Sequence, residues 1–425
     1  MSAATDLFIE TARGVSIASA IEALGLTGLK RIGTGEEAGP CPIAGGRDGF
    51  AINTAKNRWV CRKCDDGGRD AIGLAAHVVG LDVKRRADFL EACSMVSGES
   101  VPEDEALSDE RRAELAKARD ERRAKAERET ARRDADSNAY REREQAKARG
   151  KWTYATPGGE AVGYLSARLG HLPLPTLPFV RTIASEAYWH GQDEAGRAAA
   201  LYEGPAMVLP FVDAEGTVIG CHLTWLDDRA GPKFRPVLRD PASGETLPTK
   251  KMRGTKKGGL LPLIGWRMTG EHIRPEPGRH RLVTGEGIEN TLAVGLAEGF
   301  RVDTLYAAAG DLGNLAGRAD PKSGFPHPSE MKTGKDGRAR PVRVPGPIPH
   351  PDMKPGEAMP IPDGVSEVLL VGDGDSEAWF TASALGRAAE RARAAGAKAG
   401  IVWPIKAGSG CDFTDIVTGQ VSEAA

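Results

Sequence analysis

Two apolar runs that each end in acidic residues constrain the fold of this chain more than any other feature. Residues 281–284 lead to Glu286, which lies between two glycines, and a stretch with the apolar spacing of a helix follows. Residues 368–371 lead in the same way to Asp373 and Asp375 and then to a second helical stretch. Strands that alternate with helices predict a mostly parallel sheet.

The acids of these two runs follow the carboxyl ends of their strands, which right-handed crossovers place along one edge of a parallel sheet. We therefore expect Glu286, Asp373 and Asp375 to lie close together. Crowded carboxylates repel one another unless a cation joins them, and oxygen ligands suit Mg²⁺ or Mn²⁺. The alternative is a nucleotide-binding fold whose acids only cap helices, but a cap does not explain two acids separated by one residue at a strand end.

In this order the pattern resembles the Toprim domain of topoisomerases and primases, over about residues 280 to 420. The tail, residues 410–415, is similar to the Gly-x-Asp-x-x-Asp that closes this domain in phage- and plasmid-type primases. The resemblance implies that Glu286 is a general base or a metal-positioning acid and that Asp373 and Asp375 bind metal. It makes Asp415 a further candidate in the outer shell.

The N-terminal part has the pattern of a zinc ribbon. Cys41 precedes two short β segments, and the second of these ends in a Cys-x-x-Cys pair formed by Cys61 and Cys64. The order resembles the zinc-binding domain at the front of bacterial and phage primases, over about residues 35 to 80. The ribbon would pack Phe50 and Trp59 in its interior.

The zinc site that this resemblance implies lacks a ligand. The family has a second ligand three residues after the first cysteine, where this chain has Ala44, so the three cysteines form an incomplete site. Zinc binding therefore stays open. The nearest histidine, His77, lies in a helical stretch, and we expect it to be packed or to face solvent. Candidates for the missing ligand are Asp48, Asp65 and Asp66.

A densely charged segment separates the ribbon from the rest of the chain. From Asp109 to Glu144 it mixes acidic and basic residues with alanine and has no proline or glycine. The pattern predicts a solvated helix held by ion pairs four residues apart, about forty residues and about 60 Å long. The alternatives are a short coiled coil, or arginines that contact DNA.

A second globular block follows, in which residues 206–212 and 218–225 are predicted to pair as a hairpin. Basic residues among glycines come next, a combination suited to phosphate. The order resembles the subdomain that precedes the Toprim domain in primases; the alternative is a solvated basic loop. The residues implied in binding template and nucleotide are Lys233, Arg235, Lys250, Lys251, Arg253, Lys256 and Lys257.

We therefore expect an α/β chain with four regions: a zinc-ribbon-like domain with helices (1–100), a charged helical linker (101–150), a basic α+β subdomain (151–280) and a parallel-sheet catalytic domain (281–425). A proline-rich insertion at 318–362 interrupts the last region. It is either disordered or an arm that binds a partner.

Composition excludes several functional classes. A net charge of −2 excludes a general polyanion binder, so nucleic-acid contacts must be local. Six cysteines that include a Cys-x-x-Cys pair favour metal in a reducing cytosol over a disulfide framework. No signal peptide and no run of eighteen apolar residues are present, so we expect a cytoplasmic protein without membrane contact.

The two resemblances together imply a phage- or plasmid-type DNA primase. Such an enzyme makes RNA primers from ribonucleotides on single-stranded DNA by metal-dependent nucleotidyl transfer. The chain has no Walker A pattern, so a replicative helicase would be a separate partner. The alternatives are a Toprim nuclease that uses the same acids, or a non-catalytic nucleic-acid-binding replication factor.

Overall fold

The computed structural model describes residues 3–33, 35–102, 109–193, 196–333 and 338–420. The chain divides into two compact units, one formed by residues 1–136 with 333–339 and the other by 137–332 with 340–425. Across the described ranges, every helix is too short or too polar to cross a bilayer.

The first unit packs helices against an antiparallel sheet of order β1-β2-β3-β4-β5. The aromatic residues Phe50 and Trp59 lie in its core with the helical Leu74. Asp70 caps α3 by accepting a hydrogen bond from the backbone of Gly73, which fixes where this helix begins. The elements are α1 (Ala3–Arg13), α2 (Ile17–Ala23), β1 (Lys30–Gly33), β2 (Glu36–Cys41), β3 (Gly45–Asn53), β4 (Arg58–Cys61), β5 (Asp66–Gly68), α3 (Ala71–Val79) and α4 (Arg86–Ser97).

The charged segment forms one helix, α5 (Asp109–Tyr154), of 46 residues. It begins in the first unit and ends in the second. Ala148 and Trp152 near its end are buried in the core of the second unit. The side chains from Asp134 to Arg143 are exposed, whereas the last two turns anchor the helix in that core, which the charge pattern alone does not reveal.

The second unit begins with an antiparallel sheet of order β12-β9-β8-β7-β6. Its central hairpin is the one that the sequence predicts, with Leu209 paired to His222. The elements of this part are β6 (Thr156–Pro157), α6 (Glu160–Arg168), β7 (Arg181–Gln192), β8 (Ala198–Val212), β9 (Val218–Trp225), β10 (Leu238–Arg239), β11 (Thr246–Leu247) and β12 (Lys250–Gly254).

A second sheet of order β13-β17-β16-β20-β21 follows, in which β13 is antiparallel and the other strands are parallel. The strand β13 lies in the sheet although its residues precede position 281. The elements are β13 (Leu261–Ile264), β14 (Trp266–Thr269), β15 (His272–Pro275), β16 (Arg281–Gly285), α7 (Ile288–Ala297), β17 (Thr304–Ala308), α8 (Leu312–Ala316), β18 (Phe325–Thr333), β19 (Ala339–Val344), β20 (Glu367–Val371), α9 (Ala378–Ala394), β21 (Lys398–Val402) and α10 (Phe413–Val417).

Both faces of the parallel sheet are covered, as its nearly continuous apolar strands require. Leu282 and Leu370 lie in one core together with residues of α9, whereas Val283 and Val371 lie in another with residues of α7. Alternate strand residues thus enter opposite cores. The register pairs Gly285 with both Ala308 and Val371, so the segments after β16, β17 and β20 emerge side by side.

The insertion at 318–362 contains regular structure that its composition does not suggest. After a short 3-10 helix at Pro321–Ser323, strands β18 and β19 pair as a two-stranded sheet. Arg387 of α9 donates hydrogen bonds to the carbonyl oxygens of Gly317, just before the insertion, and of Gly346, two residues after β19. The described part of the insertion is therefore an ordered arm rather than a disordered loop.

Candidate metal centres

A cluster of three cysteines and one histidine lies in the first unit. Cys41 ends β2, Cys61 ends β4, Cys64 follows in the next turn and His77 comes from α3. Their ligand atoms all lie within 4.8 Å of one another. The Cys41 sulfur is 3.6 Å from the Cys64 sulfur and 3.8 Å from His77 Nε2. Ligands of a tetrahedral zinc ion are about 3.7 Å apart when the Zn–S distance is about 2.3 Å, so the donor set fits Zn²⁺.

The prediction of an incomplete site was wrong, because His77 supplies the fourth ligand atom. The residue is packed, as expected, with 6% of its surface exposed and its ring against Phe50 and Trp59. Packing and metal binding are not alternatives here, since the stacked rings aim Nε2 at the thiols. His77 lies seven residues after the Asp70 cap, and two turns of helix carry it back over the ribbon.

The aspartates proposed as fourth ligands do not occupy that position. Asp66 accepts a hydrogen bond from His77 Nδ1 at 3.1 Å, which leaves Nε2 free to face the thiols. A carboxylate behind a metal-binding histidine fixes its tautomer and orientation. Asp65 is exposed, and the side chain of Asp48 lies outside those that the structure describes.

The thiols of this cluster are electrostatically coupled. Burial acts to raise the pKa of Cys41, but the N–H groups of Ala44 and Ile43 and the neighbouring thiols outweigh it and lower the pKa to about 6. The hydrogen bond with Cys41, together with burial and Cys61, raises the pKa of Cys64 to about 12. One thiolate therefore forms readily and opposes the next, so a bound cation is needed to hold all of them deprotonated.

A row of carboxylates, here called the acidic edge, lies at the carboxyl ends of the parallel strands of the second unit. Glu286 follows β16, Asp373 and Asp375 follow β20, and Asp311 follows β17. Burial raises the pKa of Asp373 to about 8, and the hydrogen bond and charge of Asp375 and the charges of Asp412 and Glu286 add to the effect. Asp373 Oδ1 is buried, and no described group hydrogen-bonds to it.

Asp311 is an acid of this edge that the sequence analysis missed. Burial raises the pKa of Glu286, and the charge of Asp311 is the next largest cause. Asp311 also caps α8 by accepting a hydrogen bond from the Asn314 backbone. The sequence does contain an indication of this acid, because Gly310-Asp311 follows β17 just as the other acids follow their strands.

The two tail acids differ in their surroundings. Asp412 and Asp415 form a reciprocal cap at the start of α10, in which each carboxylate accepts a hydrogen bond from the backbone of the other at 2.8 and 2.9 Å. Both acids thus take part in the cap, and it is the charge of Asp412 that helps to raise the pKa of Asp373. A Cβ at Gly374 would collide with the carbonyl oxygen of Cys411, so glycine here lets the tail close over the acidic loop.

The acidic edge is more open than the cysteine cluster. Among the residues that the structure describes, the Cys41, Cys61, Cys64 and His77 cluster is the one group of three or more His, Cys, Asp or Glu ligand atoms that all lie within 4.8 Å of one another. The carboxylates of the edge are spaced more widely, and Asp375 is exposed. In general, carboxylates that are spaced in this way can leave coordination positions of a Mg²⁺ ion to water or to other oxygen ligands.

The seven basic residues divide between the acidic edge and other surfaces. On β12 the side chains alternate, so Lys250 faces the edge, whereas Lys251 donates a hydrogen bond to the Trp189 carbonyl at 2.6 Å. Lys256 pairs with Asp311, and Lys257 lies 3.8 Å from Glu357. Lys233 is exposed, Arg253 is half-buried, and the buried Nε of Arg235 has no partner among the described residues.

Lys250 belongs to a buried polar network beneath the edge. Its ammonium group lies 2.9 Å from Glu289, which also accepts a hydrogen bond from the Tyr164 hydroxyl at 2.7 Å. Burial opposes ionisation of Glu289, but Lys250 and Tyr164 hold its pKa well below the usual range. Burial and the charge of Lys250 lower the pKa of His222 to about 3, so this ring is neutral at pH 7. The network fixes Lys250 and the first turn of α7 in place.

A cavity of about 650 Å³ opens beside this network. Its walls include the rings of Tyr164, Tyr202 and Phe234, and its polar groups include Asp227 and Arg229. A mostly apolar cavity of this size with a few polar groups is typical of a small-molecule site. Tyr164 connects the cavity with Glu289 and hence with the helix that follows Glu286.

Two stretches of the chain match models of protein families. Residues 36–72 match the zinc-binding domain of primase-helicase. This stretch contains the three cysteines of the cluster and ends before His77. Residues 142–263 match a domain of unknown function (DUF7146). The first match indicates a zinc-binding domain of the primase type, in agreement with the donor set of the cluster.

Among solved structures, the chain is similar to the Aquifex aeolicus primase (zinc binding and RNA polymerase domains). The similarity covers 99% of this chain and 83% of that chain at 15% sequence identity, with a TM-score of 0.29. A likeness this distant does not establish a shared fold. No curated protein matches the chain significantly.

Proposed function

We propose that the chain is a primase-like nucleotidyltransferase of the phage or plasmid type, which makes RNA primers on single-stranded DNA. The acidic edge carries this proposal. Carboxylates from three adjacent parallel strands face one another there, and the pKa of Asp373 rises to about 8 because of burial and this crowding. The order of acids along the strands supports a Toprim domain in residues 281–425.

The donor set of the edge fits a hard divalent cation. It consists of oxygens alone, and the buried Asp373 Oδ1 has no hydrogen-bond donor among the described groups. A bound dication would offset both the burial and the repulsion that raise the pKa of Asp373. In our proposal Asp373 and Asp375 hold Mg²⁺ or Mn²⁺, and Glu286 orients it or accepts a proton.

Bound Mg²⁺ would supply charge neutralisation for the attacking oxygen of the primer and for the pyrophosphate that leaves. The protein's own groups do the rest. Glu286 has a raised pKa, which makes it a stronger proton acceptor than an ordinary carboxylate. Lys250 and Lys256 lie beside the acids and provide positive charge for the nucleotide phosphates.

The zinc-binding domain of the first unit and the cavity beside Tyr164 in the second unit account for the other substrates. We assign template contact to the ribbon, because the match at residues 36–72 is to the zinc-binding domain of primase-helicase. The cavity beside Tyr164 has the size and the aromatic walls to seat the base of a ribonucleotide. A replicative helicase would be a separate protein.

One reaction separates this proposal from its alternatives. The full chain is incubated with single-stranded DNA, labelled ribonucleotides and Mg²⁺ or Mn²⁺, and both RNA and DNA lengths are resolved on one gel. Short RNA products are expected. DNA shortened without RNA synthesis would identify a nuclease, and unchanged DNA that nevertheless binds the protein would identify a non-catalytic factor.

A further inference from the structure

The paired strands β18 and β19, called here the basic ribbon (the described residues 325–333 and 338–344), are fixed to the body of the second unit at their root. His327 is 5% exposed, and its Nε2 lies 2.9 Å from a carboxylate oxygen of Glu377. Phe325 packs edge-on against Trp379 with ring centroids 6.2 Å apart. Directly after the other strand, Ser383 and Arg387 donate hydrogen bonds to the Pro345 carbonyl oxygen.

This root lies beside the acidic edge. Glu377 follows Asp375 by two residues, and it caps α9 by accepting hydrogen bonds from the backbone of Trp379 and Phe380 at 3.1 and 2.7 Å. The same carboxylate thus holds the ribbon and ends the acidic loop. The position of the ribbon is thereby coupled to that of Asp375.

Beyond its root, the ribbon does not contribute to a core. Every described residue from Pro328 to Thr333 is exposed, and so are Arg338, Arg340 and Arg343 on the returning strand. A two-stranded hairpin without an apolar face adds little stability of its own. The exposed part of the ribbon is therefore better suited to binding a partner than to stabilising the fold.

The charge of the ribbon opposes that of the whole chain. Its described residues include four lysines and arginines against one acid, whereas the chain has a net charge of −2. Met331 is the large apolar side chain exposed on its described part. A ribbon with basic side chains and little apolar surface suits a polyanion better than it suits the apolar centre of a protein interface.

We propose that the basic ribbon binds the phosphate backbone of the nucleic acid at the acidic edge and steadies the strand there. The five steps along the chain from His327 to Lys332 span about 16 Å in an extended strand. That distance equals the rise of about five base pairs of a duplex. Lys332 and Arg340 therefore contact phosphates a few nucleotides from Asp375. This inference rests on the proposed function only in requiring a polynucleotide at the edge.

The test measures DNA affinity and its salt dependence, without nucleotides or synthesis. The full-length variant Lys332→Gln/Arg340→Gln is compared with Arg393→Gln/Lys398→Gln, which removes the same charge from exposed positions at the opposite edge of the parallel sheet. Fluorescence anisotropy follows binding of a labelled single-stranded DNA, about 20 nucleotides long, as salt rises from about 0.05 to about 0.3 M. Thermal melts check that both variants fold.

We expect the ribbon variant to bind DNA about tenfold more weakly. Its salt slope, the change of log affinity with log salt, should fall by about 1.4, or about 0.7 for each phosphate of a single strand that the variant no longer neutralises. The control should keep both values. A ribbon variant with unchanged affinity and slope would overturn the proposal and leave a protein partner as the occupant of the ribbon. Because this test measures binding and not synthesis, a wild type that makes no RNA in the synthesis assay would refute the proposed function but would leave the result of the binding test unchanged.

Discussion

The cysteine cluster and the acidic edge each gather side chains that can bind cations, but the two donor sets differ in chemistry and in spacing. The cluster surrounds its centre with three sulfurs and one nitrogen within 4.8 Å of one another, and His77 is nearly buried. The edge offers only oxygens, spaces them more widely and leaves Asp375 exposed. A closed donor set stabilises a fold, whereas an open one leaves coordination positions for substrate.

The two regions also differ in what supports them. Behind the cluster, Asp66 orients His77 through one hydrogen bond at 3.1 Å. Behind the edge lies the network of Glu289, Lys250 and Tyr164, which supplies positive charge as well as position. We infer that loss of a zinc ligand destabilises the first unit, whereas loss of an acid of the edge removes the proposed activity of the second unit without unfolding it.

The largest expected effect is at the acidic edge. In Asp373→Asn/Asp375→Asn, primer synthesis should fall by about a thousandfold or more, since several kcal/mol of charge stabilisation is removed. Folding should persist, because removing crowded carboxylates relieves repulsion. Steady-state synthesis and thermal melts measure the two effects.

The control for this variant is Asp363→Asn, which lies exposed at the other end of β20 and should retain wild-type synthesis. Full activity in the double variant would contradict the role that we propose for the edge.

Next in size is the loss of the fourth zinc ligand. His77→Ala should weaken zinc binding by about 100-fold, which removes about 3 kcal/mol of stabilisation from the first unit when zinc is in excess. Asp65→Asn is the matched control, because this residue is exposed and Asn tolerates its positive φ of 54°. Competition with a chromogenic chelator gives the zinc affinities. Equal zinc affinities of the two variants would show that His77 packs in the core but does not bind zinc.

The network beneath the edge predicts a dependence of stability on pH. The pKa of His222 is lowered to about 3 in the folded chain by burial, Lys250 and other nearby charges. A group with a depressed folded pKa contributes stability above its unfolded pKa of about 6.5, and this stability is lost as pH falls toward 3. Between pH 7 and pH 5 the loss should be about 2 kcal/mol.

The matched comparison for this pH effect is His222→Gln, whose free energy of unfolding should change less over the same range. Zinc release at low pH affects both proteins alike, so the difference between their denaturant titrations isolates His222. Parallel pH profiles would show that the ring is not held neutral.

The smallest expected effect is behind the cysteine cluster. Asp66→Asn keeps the shape of the side chain but weakens its hold on His77 Nδ1, so zinc affinity should fall by about tenfold. Synthesis on saturating zinc should be unchanged. An affinity equal to that of wild type would show that the rings of Phe50 and Trp59 orient His77 without help.

The differences between the cysteine cluster and the acidic edge help to explain which features can be predicted from the sequence. The position of Glu286 and of Asp373 at strand ends follows from apolar runs and glycines, because chain topology alone brings parallel strand ends to one edge. The central hairpin of the antiparallel sheet is equally local, since the turn after Val212 sets its register.

The features that could not be predicted from the sequence depend on packing between distant segments. His77 can act as a ligand only because α3 folds back on the zinc ribbon. The residues next to His77 in sequence predict no more than an ordinary buried helix. Lys250 and Lys251 look equivalent in sequence, but strand alternation sends them to different surfaces. The order in the insertion depends on Glu377 and Arg387 of another element, which composition cannot reveal.

Binding of Mn²⁺ to the zinc-loaded full chain, followed by electron paramagnetic resonance, tests the central claim most directly. Mn²⁺ should bind to the wild type and lose nearly all of its affinity in Asp373→Asn/Asp375→Asn, while both proteins keep the same zinc content. Equal Mn²⁺ binding by the two proteins would contradict the account, because the open acidic edge would then not be the site of the divalent cation.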